Sequence, residues 1–153
     1  MTETIDISVN KVSQSKIGTL DVHNIPFAKI YSDHMFEADY RDGEWKNFRI
    51  VPYQNISVSP ANNTLHYAIT VFEGMKAYKN DAGEVLLFRP EANAKRLNIS
   101  AERMCIPELP EELFMEALTT GYLLYLVPHC TSVLSFSQQT NTLGSDLLTL
   151  LNS

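Results

Sequence analysis

The spacing of the apolar residues changes near Pro90, and this change constrains the fold more than any other feature. Before it, the stretches 34–51 and 71–89 are rich in β-branched and aromatic residues, and each contains a turn signal. After it, Leu97, Ala101 and Met104 recur at helical spacing. Strands followed by helices predict an α+β domain in which helices pack on an antiparallel sheet.

Turn and cap residues refine this prediction. Asp42-Gly43 lies between two strand-like runs and predicts a type I′ hairpin, since both central residues of that turn need a positive φ. The letters NDAG (80–83) predict a second hairpin turn, with a strand over 84–89. The stretch 64–78 has strand-like density throughout. Pro90 and Pro110, each followed by Glu, predict two helix starts, the second before the apolar residues Leu113, Phe114, Ala117 and Leu118.

Composition excludes several classes of function. The 153 residues suit one domain, and the net charge of −6 comes with no basic stripe, so we expect no nucleic-acid partner. No apolar run reaches the roughly 18 residues of a membrane span, and the polar N-terminus indicates no secretion. The two cysteines form no disulfide framework, which favours the cytoplasm. The four histidines are scattered, so we predict no metal site.

Lys76, in VFEGMKAYK (71–79), is a candidate for chemistry. A lysine among apolar side chains can lose its proton and act as a nucleophile. On a strand it would share a face with Phe72, Gly74 and Tyr78, and a lysine at a sheet edge more often extends its amine into water. Spacing alone does not decide between these roles.

A second candidate group consists of aromatic residues and one arginine. Phe27, Tyr31, Tyr67 and Phe72 could surround an apolar pocket with Arg96 at its edge, which would suit a small apolar substrate beside a phosphate or carboxylate. The commoner alternative is that the rings belong to the core and Arg96 is a solvated helix residue.

Several long words of this sequence closely resemble branched-chain amino acid aminotransferases, the fold-type IV enzymes that use pyridoxal phosphate (PLP). The resemblance runs nearly unbroken from about Phe27 to Leu118, and long words in the correct order are a specific signal. The words are SDHMF (32–36), RIVPYQNISVSPA (49–61), LHYAITVFEGMKAYK (65–79), LFRPEANAKRLNISAERMCIP (87–107) and PEELFMEAL (110–118).

The resemblance implies roles for four residues. Arg96, in NAKRLN, corresponds to the arginine that binds the PLP phosphate, a task that suits a forked, charged donor. Phe27, Tyr67 and Phe72 correspond to walls of the substrate pocket. Discrimination by one methylene is worth only about 1–3 kcal/mol, so such a pocket would accept Leu, Ile and Val alike.

The implied reaction is ping-pong transamination between branched-chain amino acids and 2-oxoglutarate, in a homodimeric full-length enzyme. PLP would be held as a Schiff base on a lysine and act as the electron sink. In this family that lysine lies in the large C-terminal domain, and Lys76 does not match its position. We therefore expect the chain to hold the small domain without the large domain or the catalytic lysine, and to be an inactive fragment.

The resemblance stops after Thr120, and the tail GYLLYLVPHC… carries Leu, Ser and Thr in no clear period. Suitable codons for 127–144, read from the last base of each codon, spell the word ALYIRPFLFATDEYIG that the family has here. Pro128-His129 written CCG CAC, for example, gives GCA, alanine. We infer a frameshift or small deletion near residue 120, so His129 and Cys130 would carry no chemistry and the Tyr and Arg of the family word would be lost.

The predicted organisation is a polar tail or arm over 1–24, an aminotransferase small domain over 25–120 and an out-of-frame tail over 121–153. Two alternatives stay open. One is a non-catalytic interaction or dimerisation module derived from such a domain. The other is a different fold-type IV enzyme, a D-amino acid aminotransferase or an aminodeoxychorismate lyase, against which the words SDHMF and LFRPEANAKR argue.

Overall fold

A seven-stranded sheet with two helices packed on one face forms the body of the protein. The structure is a computed structural model that describes residues 5–21, 31–124, 132–141 and 145–152. The strands are β1 (Ser8–Val9), β2 (His34–Arg41), β3 (Glu44–Pro52), β4 (Thr70–Lys79), β5 (Val85–Leu87), β6 (Ser132–Asn141) and β7 (Ser145–Asn152). The α-helices are α1 (Asn63–Tyr67), α2 (Pro90–Arg103) and α3 (Glu111–Leu124), and a 3₁₀ turn spans Ile17–Thr19.

The strand order is β1-β3-β2-β7-β6-β4-β5, and every pairing is antiparallel except that of β1 with β3. The core lies between the sheet and helices α2 and α3, where Phe36 and Ile50 of the sheet join the same buried cluster as Leu97 and Phe114 of the helices. This architecture confirms the α+β prediction.

The first hairpin forms as its turn chemistry predicts. Strands β2 and β3 are joined by Asp42 and Gly43 alone, and their φ values of 58° and 86° place both in the left-handed region. This backbone is the one a type I′ turn requires, and it matches the right-handed twist of the two strands.

The second hairpin joins β4 to β5 through a turn that Asn80 organises. The Asn80 side chain accepts a hydrogen bond from the Glu84 main-chain N–H at 2.8 Å, and Gly83 takes a φ of 83°. The predicted hairpin is confirmed, although β5 covers only Val85–Leu87 of the expected 84–89.

Both predicted helices are present and bury the expected faces, with one exception. Pro90 opens α2, whose Ala94, Leu97 and Ala101 are buried, and α3 buries Leu113, Phe114, Ala117 and Leu118. Met104, predicted on the apolar face of α2, is instead its C-cap residue and is partly exposed. Its helical spacing continued past the point where the helix ends.

The link between α2 and α3 is fastened by side-chain hydrogen bonds to the backbone. The Asn98 amide donates to the Leu109 carbonyl at 2.7 Å and accepts from the Leu109 N–H at 2.9 Å. The Trp45 indole N–H of β3 donates to the Glu108 carbonyl at 2.8 Å. These bonds fix α3 relative to α2 and to the first hairpin.

Residues 63–67 form a short helix where strand density was expected. Asn62 caps it by accepting from the Thr64 N–H at 2.8 Å, and Ala68 ends it in the left-handed region at φ 52°. The strand prediction failed because a polar cap residue before the apolar residues allowed one helical turn to form before β4 starts.

The two ends of the chain both contribute strands. At the N-terminal end, β1 pairs with Arg49 and Ile50 of β3. At the other end, β6 and β7 lie between β2 and β4, so strands from the 121–153 segment connect the two hairpins. His129 and Cys130 lie outside the described residues.

Candidate functional site

Strand β4 presents two chemically different faces because its residues alternate. Val71, Met75 and Ala77 are buried toward the helices, and Glu73 lies at an inward position of the same series with only 4% exposure. A carboxylate at such a position needs charged or hydrogen-bonding partners, since burying an unpaired charge is costly.

Helix α2 supplies those partners. The Arg96 guanidinium donates from Nε to Glu73 Oε2 at 2.7 Å and from Nη2 to Glu73 Oε1. Asn93, one turn earlier on the helix, donates from Nδ2 to Glu73 Oε1 at 3.1 Å and to the Gly74 carbonyl at 3.2 Å. The Gly74 N–H adds a bond to Oε1 at 3.0 Å. Both carboxylate oxygens of Glu73 therefore have donors.

These contacts set the charge state of the pair. Burial alone would raise the pKa of Glu73, but hydrogen bonds from Arg96 and Asn93 outweigh burial and hold that pKa below its ordinary value. The Glu73 carboxylate in turn raises the pKa of Arg96. At neutral pH the site therefore contains a buried carboxylate and a guanidinium that is always charged.

Arg96 keeps part of its binding capacity. A guanidinium has five N–H donors, and Glu73 engages only the edge formed by Nε and Nη2. The Arg96 side chain is 67% exposed, and Glu73 leaves its outer edge, formed by Nη1 and Nη2, unengaged. A forked, charged edge of this kind fits a phosphate group, and the residues present are therefore compatible with the phosphate of PLP.

The opposite face of β4 is open and largely apolar. Phe72, Lys76 and Tyr78 are exposed there, and Leu86, which is paired with Tyr78 in the register of β4 and β5, is exposed as well. Phe72 has 77% of its surface accessible, so it is not a core residue. Lys76 shares a face with Phe72 and Tyr78, as the period of the strand predicts.

The other aromatic candidates lie apart from the strand. Tyr67 ends α1 and is 75% exposed, with its ring 6.3 Å from that of His66. Phe27 lies outside the described residues. Tyr31 stacks on Tyr53 with ring centroids 5.1 Å apart.

The structure thus divides the candidate residues between two sides of β4. Arg96 is bound to Glu73 on the helix side, whereas Phe72, the next residue before Glu73, faces away. The interpretation of Tyr67 and Phe72 as core residues is wrong, because both are exposed. Arg96 is not merely solvated either, because it forms an ion pair.

Sequence reasoning missed Glu73, and a signal for it existed. Glu73 interrupts the inward series Val71, Met75 and Ala77, and a charge at an inward position predicts a partner of opposite charge. The identity of that partner was not available from spacing, since Arg96 lies 23 residues away on a helix.

The described residues contain no group of three or more His, Cys, Asp or Glu side chains placed to hold a metal ion. In the same part of the chain, none of the helices combines the length and the apolar character that crossing a bilayer requires.

Sequence comparison finds relatives that are named branched-chain-amino-acid transaminases or aminotransferases. The chain is 49% identical over 100 residues to branched-chain-amino-acid transaminase 1 of Bacillus subtilis, an alignment that covers 65% of this chain and 28% of that protein. It is 44% identical over 117 residues to branched-chain-amino-acid aminotransferase 2 of the same organism, covering 76% of this chain and 31% of the relative. The chain thus spans less than a third of the length of these relatives. No protein-family model matches the sequence.

Structure comparison agrees on the fold. A branched-chain amino acid aminotransferase of Escherichia coli matches with a TM-score of 0.61 at 19% identity, over 79% of this chain and 39% of that one. The PLP form of the enzyme from Thermobaculum terrenum matches with a TM-score of 0.58 at 18% identity, over 78% and 39%. Together with the sequence relatives, these matches confirm the resemblance inferred from the sequence words.

Proposed function

Since this chain is a relative of the N-terminal part of branched-chain aminotransferases, we propose that it is the small-domain portion of a PLP-dependent transaminase. Its substrates are Leu, Ile and Val, with 2-oxoglutarate as the amino acceptor. The paired and partly exposed guanidinium of Arg96 is the observation that carries the proposal. Sequence identity of 44–49% to two aminotransferases supports the substrate class.

The sequence resemblance, rather than proximity in the structure, groups the residues of the proposed site, and each of them has one task. Arg96 binds the cofactor phosphate through its outer edge, and PLP, when bound, supplies an electron sink. Tyr67 and Phe72 offer exposed rings that exclude water from a branched side chain, each buried methylene contributing roughly 0.8 kcal/mol. Phe27 is assigned to the same pocket on the resemblance alone. Lys76 has no catalytic role in this proposal.

The 153 residues by themselves are proposed to be inactive. This proposal follows from the sequence resemblance, which implies that the lysine that holds the cofactor covalently lies in the large C-terminal domain. We also propose that residues 121–153 are read out of frame, that the full-length enzyme is a homodimer and that it works in the cytoplasm. Sequencing the gene tests the frame, and an unbroken reading frame with no aminotransferase sequence in any downstream frame would overturn that part.

A chimera tests the function directly. Residues 1–118 would be joined to the C-terminal remainder of the Bacillus subtilis transaminase 1, and amino transfer from Leu to 2-oxoglutarate would be measured. We expect the chimera to be active and the 153-residue chain to be inactive. A folded, PLP-loaded chimera without activity toward Leu, Ile or Val contradicts the proposal, and activity toward D-alanine instead would indicate another fold-type IV enzyme.

One observation favours a second candidate, a non-catalytic module that associates through its sheet. Phe72, Tyr78, Leu86 and Phe88 are all at least half exposed, and Tyr78 and Leu86 are partners on neighbouring strands. Exposed apolar surface commonly marks an interface. Sedimentation of the purified chain separates the two. A cooperatively folded dimer that Phe72→Ser converts to a monomer supports the module, whereas a monomer at all concentrations argues against it.

A further inference from the structure

The Glu73 carboxylate has a task beyond filling its own hydrogen bonds. We propose that Glu73 is a positioning residue that fixes the Arg96 guanidinium for phosphate binding, with Asn93 holding the carboxylate in place. This inference rests on the proposed function and adds a residue to which the sequence resemblance assigned no role.

The geometry defines which edge of Arg96 is presented. Glu73 takes the Nε and Nη2 edge, and the planar guanidinium therefore has one fixed orientation, with its Nη1 and Nη2 edge directed away from the carboxylate. A flexible arginine would visit many rotamers in place of this one.

Glu73 is itself immobilised, which makes it suitable as a support. It is 4% exposed on a strand at the core, and its Oε1 also accepts from Asn93 at 3.1 Å and from the Gly74 N–H at 3.0 Å. Asn93 additionally donates to the Gly74 carbonyl at 3.2 Å, so the support joins α2 to the backbone of β4. Arg96 is thereby tied to the sheet while most of its side chain stays exposed.

Glu73 has two opposing effects on anion binding at Arg96, and the larger of the two decides whether Glu73 raises or lowers the affinity. Ordering a free arginine side chain lowers affinity by a factor on the order of tenfold or more, and Glu73 removes that cost. Its negative charge also repels a phosphate, and the burial of Glu73 limits how far salt screens this repulsion. We expect positioning to outweigh repulsion because the Arg96 guanidinium, which carries the opposite charge, would lie between the two anions.

The chain offers a matched control in a second buried carboxylate. Glu37 is 7% exposed, and its Oε2 accepts from the Nε of Arg49 at 2.8 Å on strands β2 and β3. Glu37→Gln therefore removes one buried, arginine-paired carboxylate away from Arg96, while Arg49 keeps Asp39 as a second partner at 3.1 Å. Any loss caused only by weakening a buried ion pair will be common to both variants.

The experiment measures phosphate preference by calorimetry on the full 153-residue chain. The probes are 4-deoxypyridoxine 5′-phosphate and 4-deoxypyridoxine, which have no aldehyde and cannot react with surface lysines. We expect the parent chain and Glu37→Gln to prefer the phosphorylated probe. Arg96→Ala should lose this preference, and Glu73→Gln should reduce it by about tenfold, as for other residues that orient a ligand-binding side chain. The double variant Arg96→Ala/Glu73→Gln should match Arg96→Ala, since Glu73 acts through Arg96.

The outcomes distinguish the two proposals. A parent chain with no phosphate preference overturns the proposed role of Arg96 in cofactor binding, and the inference about Glu73 fails with it. A parent preference that Arg96→Ala abolishes but Glu73→Gln preserves or strengthens overturns the inference alone. Equal losses in Glu73→Gln and Glu37→Gln also overturn it, because they indicate general destabilisation. A sharp Arg96 Nε–H resonance in the parent that broadens in Glu73→Gln, and not in Glu37→Gln, is the independent signature of lost orientation.

Discussion

The clasp between Asn98 and Leu109 allows a quantitative test of how the two helices are held together. Asn98→Ala removes both side-chain hydrogen bonds to the backbone of Leu109, a residue that is only 2% exposed. Because the N–H and the carbonyl of Leu109 would each be left buried without a partner, each lost bond costs about 1–3 kcal/mol, which gives about 2–6 kcal/mol for two. Alanine returns about 0.6 kcal/mol of helix propensity. The expected loss in the free energy of unfolding is therefore about 1.5–5.5 kcal/mol.

Urea unfolding followed by tryptophan fluorescence is a suitable assay. The chain has one tryptophan, and Trp45 donates to the carbonyl of Glu108, next to Leu109, so its emission reports on this loop. Lys95→Ala, at an exposed position of the same helix, is the control and should change stability by less than about 0.5 kcal/mol.

A second variant separates the two bonds of the clasp. Asn98→Asp retains an acceptor for the Leu109 N–H but directs a carboxylate at the Leu109 carbonyl, so it should be at least as destabilised as Asn98→Ala. If Asn98→Ala unfolds at the same urea concentration as the parent, or if Asn98→Asp is as stable as the parent, the clasp does not hold the helices and the reasoning is refuted.

Three further predictions concern the arm, the first turn and the core. His34 accepts a hydrogen bond at Nε2 from the Val12 N–H at 2.9 Å, and burial outweighs the nearby Asp33 and lowers the pKa of His34. The stability that neutral His34 contributes should therefore be full above about pH 6.5 and be lost as pH falls through the lowered pKa. Unfolding measured between pH 7 and 5 should show a shallower slope in His34→Gln, and an unchanged slope would contradict this. Gly43→Ala should lower the free energy of unfolding by about 1–2 kcal/mol because Gly43 has a φ of 86°, although nothing lies within 4 Å of the added Cβ. Gly18→Ala also meets nothing within 4 Å and should be neutral in the same thermal melts. Equal effects of the two substitutions would refute the turn argument. Leu97→Ala, at a 1% exposed position, should lose about 2–5 kcal/mol by urea unfolding, and a loss below 1 kcal/mol would place Leu97 outside the packed core.

Local chemistry made the hairpins and the two long helices predictable. The Asp42-Gly43 pair prescribes a turn within its own two residues, and Pro90 and Pro110 mark helix starts for a similar reason. The faces of α2 and α3 followed from the helical period, because the residues that recur at that spacing are those that meet the sheet. The limits of local reasoning show at Met104 and at residues 63–67, where a helix end and a capped turn overrode the pattern.

The sequence by itself determined the helix and strand content, the first hairpin turn and the family resemblance, because each depends on residues that are close in the chain. Only the tertiary structure decided that Glu73 holds Arg96, that Phe72 faces the other side of β4 and that β6 and β7 separate the two hairpins. Those arrangements join residues far apart in the sequence, and no short-range period or turn signal specifies which distant partner a buried carboxylate or a strand edge will find.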